Sequence, residues 1–490
     1  MRSNKSHSNL RRFSRRENAQ LSIQTIIFAT IAVVIITGFV VLALSFLRIS
    51  VRSLNKASAF SIAEAGIEYY RWHLAHDPDD YEDGTNSPGP YVHEYYDQDG
   101  QKIGEFILDI TPPPQGSSIV TIKSTGRVLA DASIQKVIEV KTGIPSLAQY
   151  AIVANENLRI GEGTTVYGQT HSNGGVSFDG VAHHVVSSAQ PDYNDPDHGG
   201  GNEFGVHTHI SPVDPLPPAS VPSRPDVFRA GRQFPVPAVD FDGLTASLAE
   251  IKSGAQTGGH YFGASGVLGY HIVLRTNDTF DIYRVLKLER RPAGCTDIQD
   301  QDAWGTWSIE EETLLENRTL PGNGLIFVED DLWIDGGIEG ARLTIAAAEF
   351  PENAATMRSI TINNDLRYAN FDSQDVIGLI AQKNVNIGLI SEDDLRIDAA
   401  LVAKNGRVGR YYYRPQGAQG QGGCQPYHIR TKLTTYGMLA TNKNLQFSYG
   451  DETGYVTKEF NYDPNLLYSP PPSFPVTSNQ YVQLSWYEAQ

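Results

Sequence analysis

The sequence predicts a mainly β protein carried on a long membrane-spanning N-terminal α-helix. A small antiparallel sheet follows, and then an irregular β-solenoid, right-handed and β-helix-like, as the ectodomain. Three observations predict this. Residues 20–76 contain no proline and return small or apolar residues at helical spacing. The 45 Gly and 24 Tyr, beside 2 Cys and 3 Met, favour turn-rich β structure over helix bundles. From Tyr150 onward, short apolar strands keep meeting Asn- or Asp-containing turns. At 490 residues the chain exceeds one ordinary domain and has ample sequence for a sizeable core.

Residues 1–19 form a basic leader. Arg2, Lys5, Arg11, Arg12, Arg15 and Arg16 stand against Glu17, so this end carries +5 and the rest of the chain −22 of the net −17. So acidic a remainder argues against a nucleic-acid partner. Residues 20–47 are the transmembrane half of the helix, with no charged residue from Ala19 to Leu47. A cleaved secretory signal is the rival reading, but its apolar core is usually shorter and ends at a small-residue cleavage site. The basic flank places the N-terminus in the cytoplasm and the C-terminal domain outside a single-pass cell membrane. Arg48, Arg52 and Lys56 on the far side weaken this bias without reversing it.

Residues 48–76 continue the helix beyond the membrane. Leu54, Ala57 or Ser58, Ser61, Ala65 and Tyr69 make a narrow face of mostly small residues, and Pro78 and Gly84 then end the helix. Residues 77–146 read as the small sheet: EFILDI, SSIVTIKSTG and SIQKVIEVKTG alternate apolar and polar residues between turns.

Residues 147–450 are expected to form the solenoid. AIVANENLRIG, LIFVEDDLWIDG, LIAQKNVNIG, LVAKNGRVG and MLATNKNLQFS each place a polar corner between two strands. A β-sandwich of the same short strands is the competing arrangement. Residues 189–240, rich in Pro, Asp and Gly, read as a surface excursion, and FDGLTASLAEIKSG as a helix. Residues 451–490 form a tail whose aromatic content suits packing against the body.

The leader, the apolar helix beginning near Leu21 and the stretch SIAEAGIEYY resemble type IV pilin-like proteins, in particular minor pilins and pilus-assembly proteins of the PilX type. The resemblance covers the N-terminal third. It implies cleavage by a prepilin peptidase, for which the matching bond is Ala19–Gln20, with Gln24 at the fifth position of the mature chain. The family pattern has Gly before the cut and Glu at that fifth position, so both sites depart from it. The resemblance also implies an assembly helix, here Ser61, Glu64, Ala65, Gly66 and Glu68, with pilin or pilus-assembly subunits as partners. The remaining residues are similar only in general terms to β-solenoid passengers on pilus-like anchors.

Residues able to carry chemistry are sparse. Six of the 13 His fall between His171 and His209, and His183, His198, His207 and His209 are the candidate ligands of a divalent metal, with Asp192, Asp195, Asp197 and Glu203 among them. A polar loop of hydrogen-bonded imidazoles is the alternative. The acidic runs at 77–83 and 192–197 lack the ligand order of an EF-hand and read as solvated turns. Asp330/Asp331 and Asp393/Asp394 invite a membrane-tethered polysaccharide-acting enzyme, but sit at turn positions where Asp is a turn former. No nucleophile or phosphate loop accompanies them, so the reading is not an enzyme. GRYYYRP offers Tyr411, Tyr412 and Tyr413 for stacking on a surface glycan or a partner protein if exposed, or for filling the core if buried. Cys295 and Cys424 are permitted to pair in an exported chain, or to stay as separate thiols. The functional expectation is a pilin-like adhesion or assembly protein at the cell surface or pilus. A tethered polysaccharide enzyme and a plain surface anchor with no pilus role are the alternatives.

Overall fold

The computed structural model describes residues 11–113, 117–241, 244–297, 301–417, 422–476 and 480–489. It is mainly β with one long N-terminal apolar helix, and it divides into two compact units. The first comprises Met1–Ile110, Ile122–Val140 and Trp486–Gln490; the second comprises Thr111–Thr121 and Lys141–Ser485.

In the first unit, helix α1 runs over Arg11–His76. Its described part reaches into the basic leader, where neither Gly nor Pro occurs between Arg11 and Ala19 to interrupt it. Residues 1–10 of the leader lie outside the described residues. From Leu21 to Leu54 every side chain is exposed. Four hydroxyls of this stretch bond within the helix: Thr25, Thr30, Thr37 and Ser45 donate to the carbonyls four residues back at 2.7–2.8 Å. No polar hydrogen of these side chains is then left facing an apolar solvent.

Beyond Leu54 the helix buries one face. Ala59, Ile62, Ala63, Gly66, Ile67, Tyr70 and Leu74 are buried at steps of three and four. They cover strands β1 (Tyr91–Tyr96), β2 (Lys102–Thr111), β3 (Val120–Val128) and β4 (Asp131–Gly143), which lie in that order in one sheet. The C-terminal strand Val482–Ala489 adds beyond β4, where Lys136 pairs with Glu488. The sheet is hollowed for the helix. A Cβ on Gly126 would strike the Ala59 carbonyl and lie 2.5 Å from the Ala63 nitrogen, and one on Gly66 would lie 2.9 Å from the Phe106 ring.

The second unit is built from parallel ladders. One stacks His260–Phe262, Leu325–Val328, Arg342–Ala347, Val376–Ala381, Asp394–Ala403 and Ile429–Thr441 in succession. It continues from Ile429–Thr441 onto Ile152–Ala154, Thr170–Ser172, Val186–Ser188 and Arg232–Gln233. The chain thus enters mid-ladder, stacks outward to Gln233, restarts at the opposite end with His260 and returns until Leu439 faces Ile152. A second parallel ladder runs through Leu332–Ile338, Ile360–Thr361, Val385–Ile387 and Val408–Arg410. A third joins Leu158–Ile160, Val176–Phe178 and Val206–His207.

Val376–Ala381 is buried at every position because the ladder is covered on both faces. Ile377, Leu379 and Ala381 join the main core, while Val376 and Ile380 pack with Leu248, Ile251, Leu325 and Phe474. Leu248 and Ile251 come from the helix Leu244–Gly258. Residues 189–240, expected to be a surface excursion, also feed the core: Val206, Val227 and Phe228 are buried in it. Their strands are only two residues long, too short to show a periodicity. The longest antiparallel insertion among the described residues is Gly269–Arg275, Thr279–Leu288 and Ile309–Thr319.

Candidate functional site

Two places concentrate the residues singled out from the sequence. The first is the exported half of α1. Ser61, Glu64 and Glu68 are exposed, Ala65 is half-buried, and Gly66 is buried against the sheet. The small-residue face through Leu54, Ala57, Ser61 and Ala65 is therefore not the face that docks on the sheet. It stays largely open, and Glu68 pairs with Arg71 at 2.7 Å beside it. Among the aromatics, Tyr70 is buried, Tyr69 packs on His93 and Phe106, and Trp72 faces solvent. Gln24 lies on the exposed apolar stretch of the helix, and Ala19–Gln20 lies within its helical backbone. The acidic turn after the helix is internally bonded: Asp80 accepts from His73 at 2.9 Å and Asp83 from His93 at 2.7 Å.

The second place is a histidine–carboxylate cluster in the larger unit. Asp192–Tyr193 pairs antiparallel with Glu203–Phe204, and Gly199–Gly201 sits between them, with φ of 141° and 132° at Gly200 and Gly201. This hairpin brings Asp195 over Glu203, and the following strand adds His207 and then His209. One ligand atom from each of Asp195, Glu203, His207 and His209 lies within 4.8 Å of all the others. His207 Nε2 is 2.9 Å from Glu203 Oε2 and 3.4 Å from Asp195 Oδ2. His209 Nε2 is 2.9 Å from Glu203 Oε1. The backbone N–H of His209 donates to Asp179 at 2.7 Å, and that of Asp197 donates to Asp195 Oδ1 at 3.0 Å. Burial lowers the pKa of His207.

Of the four histidines expected as ligands, the structure gathers His207 and His209. His198 stands at the rim, its half-exposed ring stacked 3.6 Å from that of His209. His183 lies apart, stacked on Tyr167 at 4.1 Å and beside Arg229. The carboxylates Asp195 and Glu203 take the remaining places. The H-x-H spacing signalled the histidines, but the choice of carboxylates depends on the hairpin register.

The other candidates are engaged in structure. Asp330 accepts from Ser265 through its N–H at 2.9 Å and its hydroxyl at 2.6 Å, and from Arg358 at 3.1 Å. Asp331 accepts from the Ser359 N–H at 2.8 Å, and burial pushes its pKa up to about 6. Asp393 accepts from the Thr431 hydroxyl. The glycan-stacking reading of GRYYYRP is overturned, because Tyr411, Tyr412 and Tyr413 are all buried. Tyr411 and Tyr413 pack beside Trp304 and Trp307, next to a disulfide joining Cys295 and Cys424 with Cα atoms 4.6 Å apart, while Tyr412 packs on Tyr449.

No known protein-family profile matches the chain, and no curated protein does. Among solved structures, the competence-associated pilin ComZ from Thermus thermophilus is similar at 13% identity, with a TM-score of 0.30 over 89% of this chain and 98% of that one. So loose a likeness carries no argument about function.

Proposed function

We propose that the chain is a membrane-anchored, pilin-like surface protein that displays an irregular β-solenoid. One observation carries this reading: α1 is a single helix with two differently used halves. Its first half is apolar and exposed all round, and the stretch from Leu21 to Leu47, roughly 40 Å long at the helical rise, exceeds the thickness of a bilayer core. Its second half is buried along one face by the unit's own sheet and leaves Leu54, Ala57, Ser61, Glu64 and Glu68 open. A plain anchor needs only the first half. An open, small-residue face on a helix already committed to a sheet suits docking against helices of pilin or pilus-assembly subunits.

The parallel ladders support reading the larger unit as the solenoid, since strands stacked in register with polar corners between them are its building plan. Its coil is assigned right-handed because crossovers between parallel strands almost always are. The Cys295–Cys424 disulfide suits an oxidising compartment outside the membrane. The solenoid would then meet a surface glycan or protein ligand, in an adhesion or tip-assembly role.

The test is made on membrane-extracted full-length chain. N-terminal sequencing is expected to start at Gln20, and cysteines placed at Ser61 or Glu68 are expected to crosslink to a pilin-type helix. An intact Met1 without helix crosslinks would leave a plain surface anchor instead.

A further inference from the structure

We propose that Asp195, Glu203, His207 and His209 bind one divalent transition-metal ion of the zinc type, which fastens the 192–204 hairpin to the strand that follows it. The proposal concerns the larger unit alone and does not depend on how the chain is anchored.

The carbonyl of Phe204 can only accept, and it lies 3.2 Å from His207 Nδ1, so Nδ1 carries the hydrogen. In the neutral imidazole Nε2 is then a lone pair, and it faces Glu203 Oε2 and Asp195 Oδ2. All three atoms are buried and none has a hydrogen-bond donor among the described residues. Their residues are 1%, 8% and 4% exposed for His207, Glu203 and Asp195. Three electron-rich atoms converging out of water repel one another unless a cation sits among them.

The spacing suits such an ion. Bonds of about 2.0 Å in a tetrahedral shell put neighbouring ligand atoms about 3.3 Å apart. The pairs at 2.9 and 3.4 Å bracket that value. The outer partners are also those that orient metal ligands: the Phe204 carbonyl holds His207, and the Asp197 N–H holds the other oxygen of Asp195. Two imidazoles with two carboxylates favour Zn²⁺ and its neighbours over Ca²⁺ or Mg²⁺, which prefer oxygen alone. Four protein ligands close the shell, which makes the site structural and not catalytic.

The test uses full-length protein in detergent, stripped with EDTA and then dialysed against Zn²⁺ or Co²⁺. Wild type and His183→Gln are expected to retain about one equivalent of metal per chain, and the double variant Glu203→Gln/His207→Gln none. Zn²⁺ should raise the melting temperature of wild type and protect residues 194–202 from protease, with neither effect in the double variant. Should that variant fail to fold, the Co²⁺ spectrum of wild type decides. Intense four-coordinate absorption supports the site, and the spectrum of the hydrated ion overturns it. Failure of wild type to bind Zn²⁺ at micromolar free ion, or a full equivalent retained by a folded double variant, also overturns the proposal.

Discussion

At the scale of single residues, two buried cations of the larger unit make opposite use of their surroundings. Burial alone would depress the pKa of His271, but hydrogen bonds to Asp335 at 3.2 Å and Glu312 at 2.8 Å outweigh it and raise the value to about 9. A folded-state pKa above the unfolded value means the stabilisation is fully present below the unfolded pKa of about 6.5 and is lost as pH rises through about 9. His271→Gln is therefore expected to lower stability near neutrality by on the order of 3 kcal/mol. Urea titrations of both proteins should converge as pH approaches 10, roughly one unit above the folded pKa. Arg410 has no carboxylate partner among the described residues. Fully buried, it donates to the carbonyls of Gly388, Leu389 and Tyr427 and to the Ser391 hydroxyl, between the rings of Tyr413 and Tyr455. Arg410→Met keeps much of the volume but strands those acceptors, and should cost about 3–5 kcal/mol in denaturant unfolding. Arg410→Lys should recover only part of this, because a point charge cannot span the same fork of acceptors.

At the scale of elements, the contact between helix and sheet turns on Gly126. The helix backbone at Ala59 and Ala63 occupies the space that a side chain would need. Gly126→Leu is expected to lift residues 59–74 from the sheet, seen as faster amide exchange there with exchange in the parallel ladders unchanged. Gly126→Ala should show the same effect more weakly. The helix itself was legible in the sequence, from its missing prolines and its stop at Pro78. Which face would dock was not, because the deciding residue lies on β3 and not on the helix. The corners were legible where a hydrophobic strand preceded an Asn or Asp turn. The copy at Thr170–Phe178 was not, because Thr170, His171 and Ser172 are buried polar residues that imitate a loop. Their place becomes intelligible through stacking: Asn173 donates to Asn155 at 2.9 Å and Asn155 to Asn442 at 3.1 Å. That short amide ladder crosses the seam where the returning chain meets the start of the unit.

For the whole molecule, the seam and the disulfide were the features sequence could least reveal, since both join residues far apart in the chain. Leu439 faces Ile152, and Cys424 bonds Cys295 across a separation of 129 residues. The two cysteines permitted a bond, but only the fold brings their Cα atoms into range. The bond sits where the loops after Leu288 and Arg410 meet, among Tyr411, Tyr413 and Leu389. Closing so long a loop removes conformations from the unfolded chain, worth about 3–5 kcal/mol in the chain-entropy account. Cys295→Ser/Cys424→Ser should therefore lower the unfolding free energy by that amount, read as a lower denaturant midpoint, while leaving the native circular dichroism unchanged, because the surrounding aromatic packing remains. Reductant should shift the wild-type midpoint toward that of the double variant and leave the variant where it is. Two thiols titrating in native, unreduced protein would contradict this account, and would also remove the support the bond lends to an exported location for the larger unit.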